Sequence, residues 1–240
     1  MKRFKRSLLF GALLFFGLLI ISSAIFYIRF QKATKEMLPS ETGLVNDSVF
    51  CIKDKYVNAF LFKGDSGYLM VDAGFTKKGF RRGLETLGIS PDQVHTILLT
   101  HTDADHIGGM SLFENIVVYM HKDEEQMVNG TTGKMKYIKT KWKYGPYTLL
   151  ENNDTLTIDG IKIKIIHTPG HTPGSSCYII GSDYLLTGDN LIVNNNEYGK
   201  FVEMFNMDTP RQMESIKVLP DPDVFKYILT GHHGVIRVSD

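Results

Sequence analysis

His101-Thr102-Asp103-Ala104-Asp105-His106 sets four potential metal ligands within six residues. Imidazole nitrogen and carboxylate oxygen are the donors that zinc, iron and manganese take from proteins. A lone histidine, or a lone aspartate at a helix start, has an ordinary use as a packed side chain or a cap. Four together, where the apolar run Val94 to Thr100 opens into a loop, do not. Three more candidates follow: His171 in His167-Thr168-Pro169-Gly170-His171-Thr172-Pro173-Gly174, Asp189 in Thr187-Gly188-Asp189-Asn190, and His232 in Gly231-His232-His233-Gly234. Each closes a strand-like run beside a glycine, where the backbone can turn sharply and present a side chain to a shared cleft. Such a set implies metal-assisted chemistry, in which an ion activates water and polarises a substrate oxygen.

The elements that must position these residues read as short strands alternating with helices. Ser48 to Lys53, Tyr56 to Phe62 and Gly67 to Val71 form a meander, with Gly64-Asp65-Ser66-Gly67 as a turn. Thr76 to Leu87 is helical and stops at Gly88, Val94 to Thr100 is a strand, Ile107 to Phe113 begins a helix, and Ile116 to Met120 is a strand. Lys122 to Val128 is helical. Strands resume at Asp154 to Ile158, Ile161 to Ile166, Cys177 to Ile180 and Tyr184 to Leu186. Asp208 to Leu219 is helical, and Val224 to Leu229 is the last strand. Between Asn129-Gly130 and Leu150 runs a basic, aromatic stretch with Lys134, Lys136, Lys139, Lys141, Lys143, Trp142 and three tyrosines, read as a solvated loop covering a cleft. Nucleic acid is not expected as a partner, given the acidic balance of the surrounding residues.

From Val49 to Gly234 the sequence resembles the metallo-β-lactamase superfamily, including the strand residues Asn58-Ala59-Phe60-Leu61 and the turn Val71-Asp72-Ala73-Gly74. The resemblance implies an α+β fold, a four-layer αβ/βα sandwich with its metal site along one edge. Carried over by position, His101, Asp103 and His171 would hold one metal, Asp105, His106 and His232 the other, and Asp189 would bridge them. His232 is preferred to His233 because the family's ligand directly follows the turn glycine. Asp105 is the catalytic candidate, orienting the nucleophile and shuttling a proton, while Asp72 supports the ligands from behind. His95, His121 and His167 receive no role and read as surface or packing histidines. The implied cofactors are two divalent ions, zinc first, with iron or manganese next.

A net charge of +1 conceals two unlike parts. Residues 1–37 hold seven basic residues and one acid, a charge of +6, which leaves −5 for the rest. Residues 7–28 carry no charge and, as a helix at about 1.5 Å per residue, are long enough to cross a bilayer. Residues 1–6 therefore read as a basic cytoplasmic end, 7–28 as a transmembrane anchor or signal sequence, 29–45 as a tether and 46–240 as the hydrolase domain. The expected location is the cell membrane, single-pass, with the domain extracytoplasmic; the alternative is secretion after signal cleavage. Cys51 and Cys177 could pair in an oxidising compartment, but their apolar runs favour two buried thiols.

The function expected is that of a metal-dependent hydrolase, using a hydroxide that bridges two metal ions to cleave an ester, lactone or phosphoester of a small molecule. The lysine-rich stretch favours an anionic substrate or one at a membrane surface. An aspartate at the bridging position argues against a true β-lactamase, and the short chain beyond Leu219 against the extra helical domain of glyoxalase II-like thioesterases. The alternatives are those activities, a di-iron oxidoreductase, or a degenerate binding module. Asp103 stands where the commonest family pattern has a second histidine. Three carboxylates and a hydroxide neutralise two divalent ions, whereas a histidine there would leave one positive charge. Asp103→His is therefore expected to lower the pKa governing the kcat/KM–pH profile; an unchanged or raised value counts against this charge argument.

Overall fold

The computed structural model describes residues 2–134, 139–140, 142–194 and 197–238, so Lys136, Tyr137 and Lys141 of the basic stretch lie outside the described residues. The chain divides into two units, Met1–Met37 and Leu38–Asp240. The first is a single helix, α1 (Lys2–Lys35). Its segment Leu13–Lys35 contains an 18-residue window of mean hydropathy 2.1 and is long and apolar enough to cross a membrane. Phe10, Leu13, Phe16, Ile20 and Ile28 are each more than half exposed. By length and composition it fits a membrane anchor or a signal sequence.

The second unit begins with a run of strands, β1 (Gly43–Asn46), β2 (Val49–Asp54), β3 (Val57–Lys63) and β4 (Tyr68–Val71), followed by helix α2 (Lys77–Leu87). Then come β5 (Val94–Leu98), α3 (Ala104–Ile107), β6 (Val117–His121), α4 (Glu125–Val128) and β7 (Thr148–Leu150). The remainder comprises β8 (Thr155–Ile158), β9 (Ile161–His167), β10 (Ser176–Ile180), β11 (Tyr184–Gly188), the hairpin β12 (Leu191–Asn194) and β13 (Glu197–Lys200), α5 (Thr209–Ile216), β14 (Tyr227–Thr230) and β15 (Gly234–Arg237). One sheet has the order β1 to β7 and the other β15-β14-β11-β10-β9-β8. The two are mixed, with β4 to β7 and the pair β11/β14 parallel and the other pairings antiparallel.

Alternation along β3 shows why the layers stack. Phe60 and Phe62 face the second sheet, packing in one core with Ile163, Ile165, Tyr178 and Leu229. Ala59 and Leu61 point the other way, into a core with Phe80 and Leu84 of α2. Successive strand residues face opposite sides, so a strand buried on both faces needs an unbroken apolar run, which Ala59 to Phe62 supplies. A third core, with Ile166, Cys177, Leu185, Phe225 and Ile228, covers the outer face of the second sheet. The result is the helix–sheet–sheet–helix sandwich expected from the sequence. Helix α2 is set by its ends: the Thr76 hydroxyl accepts from Gly79 N–H, and Gly88 closes the helix at φ +67°.

The structure departs from the sequence reading in several elements. The helix expected from Ile107 instead begins at Ala104 and ends at Gly108, so it carries Asp105 and His106 in its first turn. Strands β1, β7, β12, β13 and β15 were not expected, and the residues read as a tether, 29–45, take in all but the last residue of β1. The last strand read from the sequence is a 3-10 turn at Pro222–Val224 followed by β14. Cys51 and Cys177 are free and buried, one in each sheet, and burial pushes both thiols up to about 12.

Close packing then fixes the loop after β5. Ala73 N–H donates to His106 O, while Gly108 and Gly109 N–H donate to Gly74 O and Ala73 O, all at 2.7 Å. A Cβ at Gly108 would lie 2.0 Å from Phe75 O. Gly108→Ala is accordingly expected to destabilise the fold by about 1–3 kcal/mol through forced separation of the two turns, read as a lower urea midpoint. A midpoint equal to that of the parent protein would show that the approach is not tight.

Candidate metal centre

The parallel pair β11/β14, in register with Gly188 opposite Thr230, releases Asp189 and His232 side by side at one edge of the second sheet. The loop after β5 comes to that edge from the first sheet. Backbone hydrogen bonds clasp the sheets there: Ser176 N–H to Thr100 O at 2.9 Å, Asn58 N–H to Gly231 O at 2.7 Å. The Tyr178 hydroxyl adds a bond to Leu99 O at 2.9 Å.

All seven residues singled out as candidate ligands meet at this edge. Asp189 Oδ1 lies 3.2 Å from both His106 Nε2 and His232 Nε2. Its Oδ2 lies 3.1 Å from His171 Nε2 and 3.7 Å from His101 Nε2. Asp103 Oδ2 is 3.0 Å from His171 Nε2 and 3.5 Å from His101 Nε2, and Asp105 Oδ2 is 3.5 Å from His232 Nε2. Three overlapping groups could each hold an ion: His101/Asp103/His171, His101/His106/Asp189 and Asp105/His106/His232. His232, not His233, joins them.

The outward nitrogens decide what the inward ones offer. His106 Nδ1 meets Asp72 Oδ2 at 2.8 Å. Thr100 Oγ1 donates to the same Asp72 oxygen at 2.8 Å, which leaves the hydroxyl to accept from His101 Nδ1 at 3.0 Å. His232 Nδ1 donates to Tyr56 O at 2.7 Å. Asn206 gives its amide hydrogens to Gln212 and Thr209, so its Oδ1 accepts from His171 Nδ1 at 3.1 Å. Every Nδ1 therefore carries a hydrogen outward and every Nε2 is the atom turned inward, so each ring when neutral offers its lone pair there, the arrangement that imidazole ligands require. His101 Nε2, His106 Nε2 and Asp189 Oδ1 are buried with no hydrogen-bond partner, although ion-pair distances separate them. Buried polar atoms without partners are costly, and a divalent cation is the partner this donor set fits.

Charges in the protein alone follow from the same crowding. Burial lowers the His101 imidazole to about 4, with the neighbouring His106 adding to the effect. Burial also opposes charge on His106, but the Asp189 and Asp72 carboxylates outweigh it and hold that imidazole well above its ordinary value. His171 and His232 are raised against burial, chiefly by Asp189. Asp189 is held well below the carboxylate range against burial by His232, His106 and His171. Asp103 is likewise held low, against burial, by Lys134 and by the imidazoles of His101 and His171.

Several groups at the centre were not singled out from the sequence. Lys134 contacts Asp103 Oδ2 and lies 2.6 Å from His171 Nε2. Phe201 is buried between His171 and His232, with ring centroids 5.1 and 5.3 Å away. Tyr56 stacks on His232 at 5.8 Å. Asp72, expected behind the ligands, sits at φ +59° and also accepts from Thr100 N–H at 2.8 Å. His121, Asp123 and His167 form a further group of close ligand-type atoms. Their imidazoles, however, lie parallel at 3.7 Å and 12°, so in-plane lone pairs do not converge. His121 Nδ1 accepts from Asp123 N–H and His167 Nε2 donates to Pro173 O. That trio braces β6 against β9.

Residues 52–232 match the family model described as the metallo-beta-lactamase superfamily. A probable metallo-hydrolase of Methanocaldococcus jannaschii is 29% identical over 155 residues, covering 65% of this chain and 64% of that protein. The chain thus spans somewhat less than two thirds of that relative. Another, of Bacillus subtilis, is 27% identical with 89% of each chain covered. A hydroxyacylglutathione hydrolase of Aeromonas hydrophila is 28% identical over 72% of this chain and 60% of that protein. Among solved structures, the subclass B3 metallo-beta-lactamase of Bradyrhizobium japonicum superposes with TM-score 0.63 at 15% identity, covering 82% of this chain and 79% of that one.

The charge pattern predicts how protein stripped of metal by a chelator responds to pH. His106, His171 and His232 have raised folded values, so their stabilising contribution is full below the unfolded value of 6.5 and is lost as pH rises through the folded values. Asp103 and Asp189 have lowered folded values, so their contribution is full above about 3.8 and is lost as pH falls. The urea midpoint of the stripped protein is therefore expected to fall as pH rises from about 6.5 towards 9, while below 6.5 the buried His101, lowered to about 4, works in the opposite direction because unfolding lets it take up a proton. A midpoint that climbs from pH 6 to 9 would contradict this pattern.

Proposed function

The chain belongs to the metallo-β-lactamase superfamily, and from that premise we propose that it is a metal-dependent hydrolase of a small anionic substrate. The observation that carries this reading is the convergence of four inward Nε2 atoms and three carboxylates on one edge, with the two oxygens of Asp189 facing different histidines. In this reading His101, Asp103 and His171 hold one divalent ion, Asp105, His106 and His232 hold a second, and Asp189 serves both. Imidazole-rich ligation suits zinc, and the three carboxylates widen the choice to manganese and iron. When bound, such ions supply Lewis acidity that lowers the pKa of water and polarises the oxygen of an ester, lactone or phosphoester.

The protein groups complete the chemistry. Asp105 lines a cleft of about 450 Å³ together with Asp103, Lys134, Lys139, Lys143 and Tyr144. Its position between His232 and the cleft suits it to orient a water molecule and to hold a proton during cleavage. Lys134, Lys139 and Lys143 in its lining favour a substrate with a carboxylate or phosphate. Asp72 keeps His106 and, through Thr100, His101 in the ligating tautomer. Helix α1 acts as the anchor, through residues 7–28, of a single-pass protein whose second unit lies outside the cytoplasm; a cleaved signal would release the same unit. The relatives named hydroxyacylglutathione hydrolase favour a second reading, in which the bond cleaved is a thioester.

The test is a panel of lactone, carboxylic ester, thioester and phosphodiester substrates, with and without an anionic group, offered to protein reconstituted with zinc or manganese. Two equivalents of metal and turnover of an anionic member are expected, with Asp105→Asn lowering kcat by about 10²–10⁴-fold. One equivalent or less would remove the two-ion reading. Full metal loading with no turnover of any member would leave a binding module.

A further inference from the structure

Glu124, in the 3-10 turn Lys122–Glu124 that follows β6, is completely buried. Its Oε1 accepts from Thr102 N–H at 2.8 Å and from the Thr102 hydroxyl at 2.6 Å. Its Oε2 accepts from the Thr172 hydroxyl at 2.7 Å and from Gly174 N–H at 3.0 Å. Four donors thus satisfy one carboxylate, which suits the ionised form, since a protonated acid would need an acceptor at one of these places. Thr102 lies between His101 and Asp103, and Thr172 follows His171 directly.

Each oxygen therefore holds one loop, and the two loops supply the three members of the His101/Asp103/His171 group. His106 and His232 have other supports, Asp72 for the first and the Tyr56 carbonyl for the second, and Asp105 lies 3.5 Å from His232. Packing shows how closely the clamp is drawn. A Cβ at Gly174 would lie 2.1 Å from Glu124 N and 2.4 Å from Glu124 Cα, so only glycine lets the His171 loop reach the carboxylate. Because the Thr172 hydroxyl gives its proton to Glu124, it accepts from the Ser175 hydroxyl at 2.8 Å, and Ser175 Oγ accepts in turn from Thr172 N–H at 2.9 Å.

We propose that Glu124 is a positioning residue for one of two metal-binding half-sites: it joins the loops of His101, Asp103 and His171 at the spacing an ion needs and leaves the Asp105/His106/His232 half-site to other supports. This rests on the reading of the cluster as a two-ion centre. Groups that orient ligands typically change metal affinity by about 10–100-fold when altered. A residue that only stabilised the fold would weaken both ions alike or neither.

The experiment titrates the full chain in detergent with Zn²⁺ against a chromophoric chelator, for the parent protein, Glu124→Gln and Thr172→Val. The glutamine keeps the shape but turns an amide against two of the four donors. In the parent protein two binding phases are expected. In Glu124→Gln one phase weakens about 10–100-fold while the other stays within twofold. Thr172→Val removes a single donor and is expected to move the same phase by about fivefold, which decides the matter should Glu124→Gln fail to fold. Equal weakening of both phases, or no change in either, overturns the role of Glu124 and leaves the two-ion centre standing. Absence of two phases in the parent protein overturns the two-ion centre and this inference with it.

Discussion

Four imidazoles buried at one edge of two sheets must each keep Nε2 turned inward, and that requirement organises the surrounding loops. A buried imidazole left to itself would choose the tautomer and rotation that bury its polar atoms least. Here each Nδ1 is committed first, to Asp72, to the Thr100 hydroxyl, to Asn206 or to the Tyr56 carbonyl. The inward nitrogen is what remains. The geometry is thus made by outer groups, and the cost of buried unpaired atoms is accepted where a cation can satisfy them.

That arrangement needs loops that come close without interdigitating side chains, and glycine supplies the approach. Gly108 brings the loop after β5 against the turn after β4, while Gly174 and Gly170 let the His171 loop pass beside Glu124 and the start of α5, where added Cβ atoms would lie 2.1 and 2.3 Å from backbone nitrogen. Positions that look like turn punctuation in the sequence are contact points between neighbouring segments of chain. The same closeness explains the short helix α3. It has only the distance from Asp103 to Gly108 in which to present Asp105 and His106 before the glycines dock.

The fold and the set of residues that meet at the edge were legible because their signals are local. Apolar runs of strand length mark β2 to β5 and β9 to β11, and the histidines and aspartates stand where those runs stop. What was not legible depends on partners distant in sequence. Strand β1 is only four residues long and is defined by pairing with β2, and β7 is completed by pairing with β6. Glu124 reads as one more charge on a short amphipathic turn, because its donors come from residues 22 and 50 positions away, among others. Lys134 reads as one lysine among several until the loop brings it to Asp103. His121 and His167 carry a ligand's chemistry but face each other as parallel rings, which spacing cannot reveal.

The supports also divide the centre into unequal halves. On one side Glu124 and the Asn206–Gln212 pair hold His101, Asp103 and His171, and that side faces Lys134. On the other, Asp72 and Tyr56 hold His106 and His232, and no lysine contact is found there among the described residues. Asp189 belongs to both, and its own backbone carbonyl accepts from Gln212 Nε2 at 2.9 Å. A disturbance on one side can therefore reach the other through the Asp189 carboxylate, through the Asp72–Thr100–His101 chain, or across the Phe201 ring between His171 and His232. Because Asp72 serves His106 directly and His101 at one remove, it ties the halves together from behind while Asp189 ties them from within.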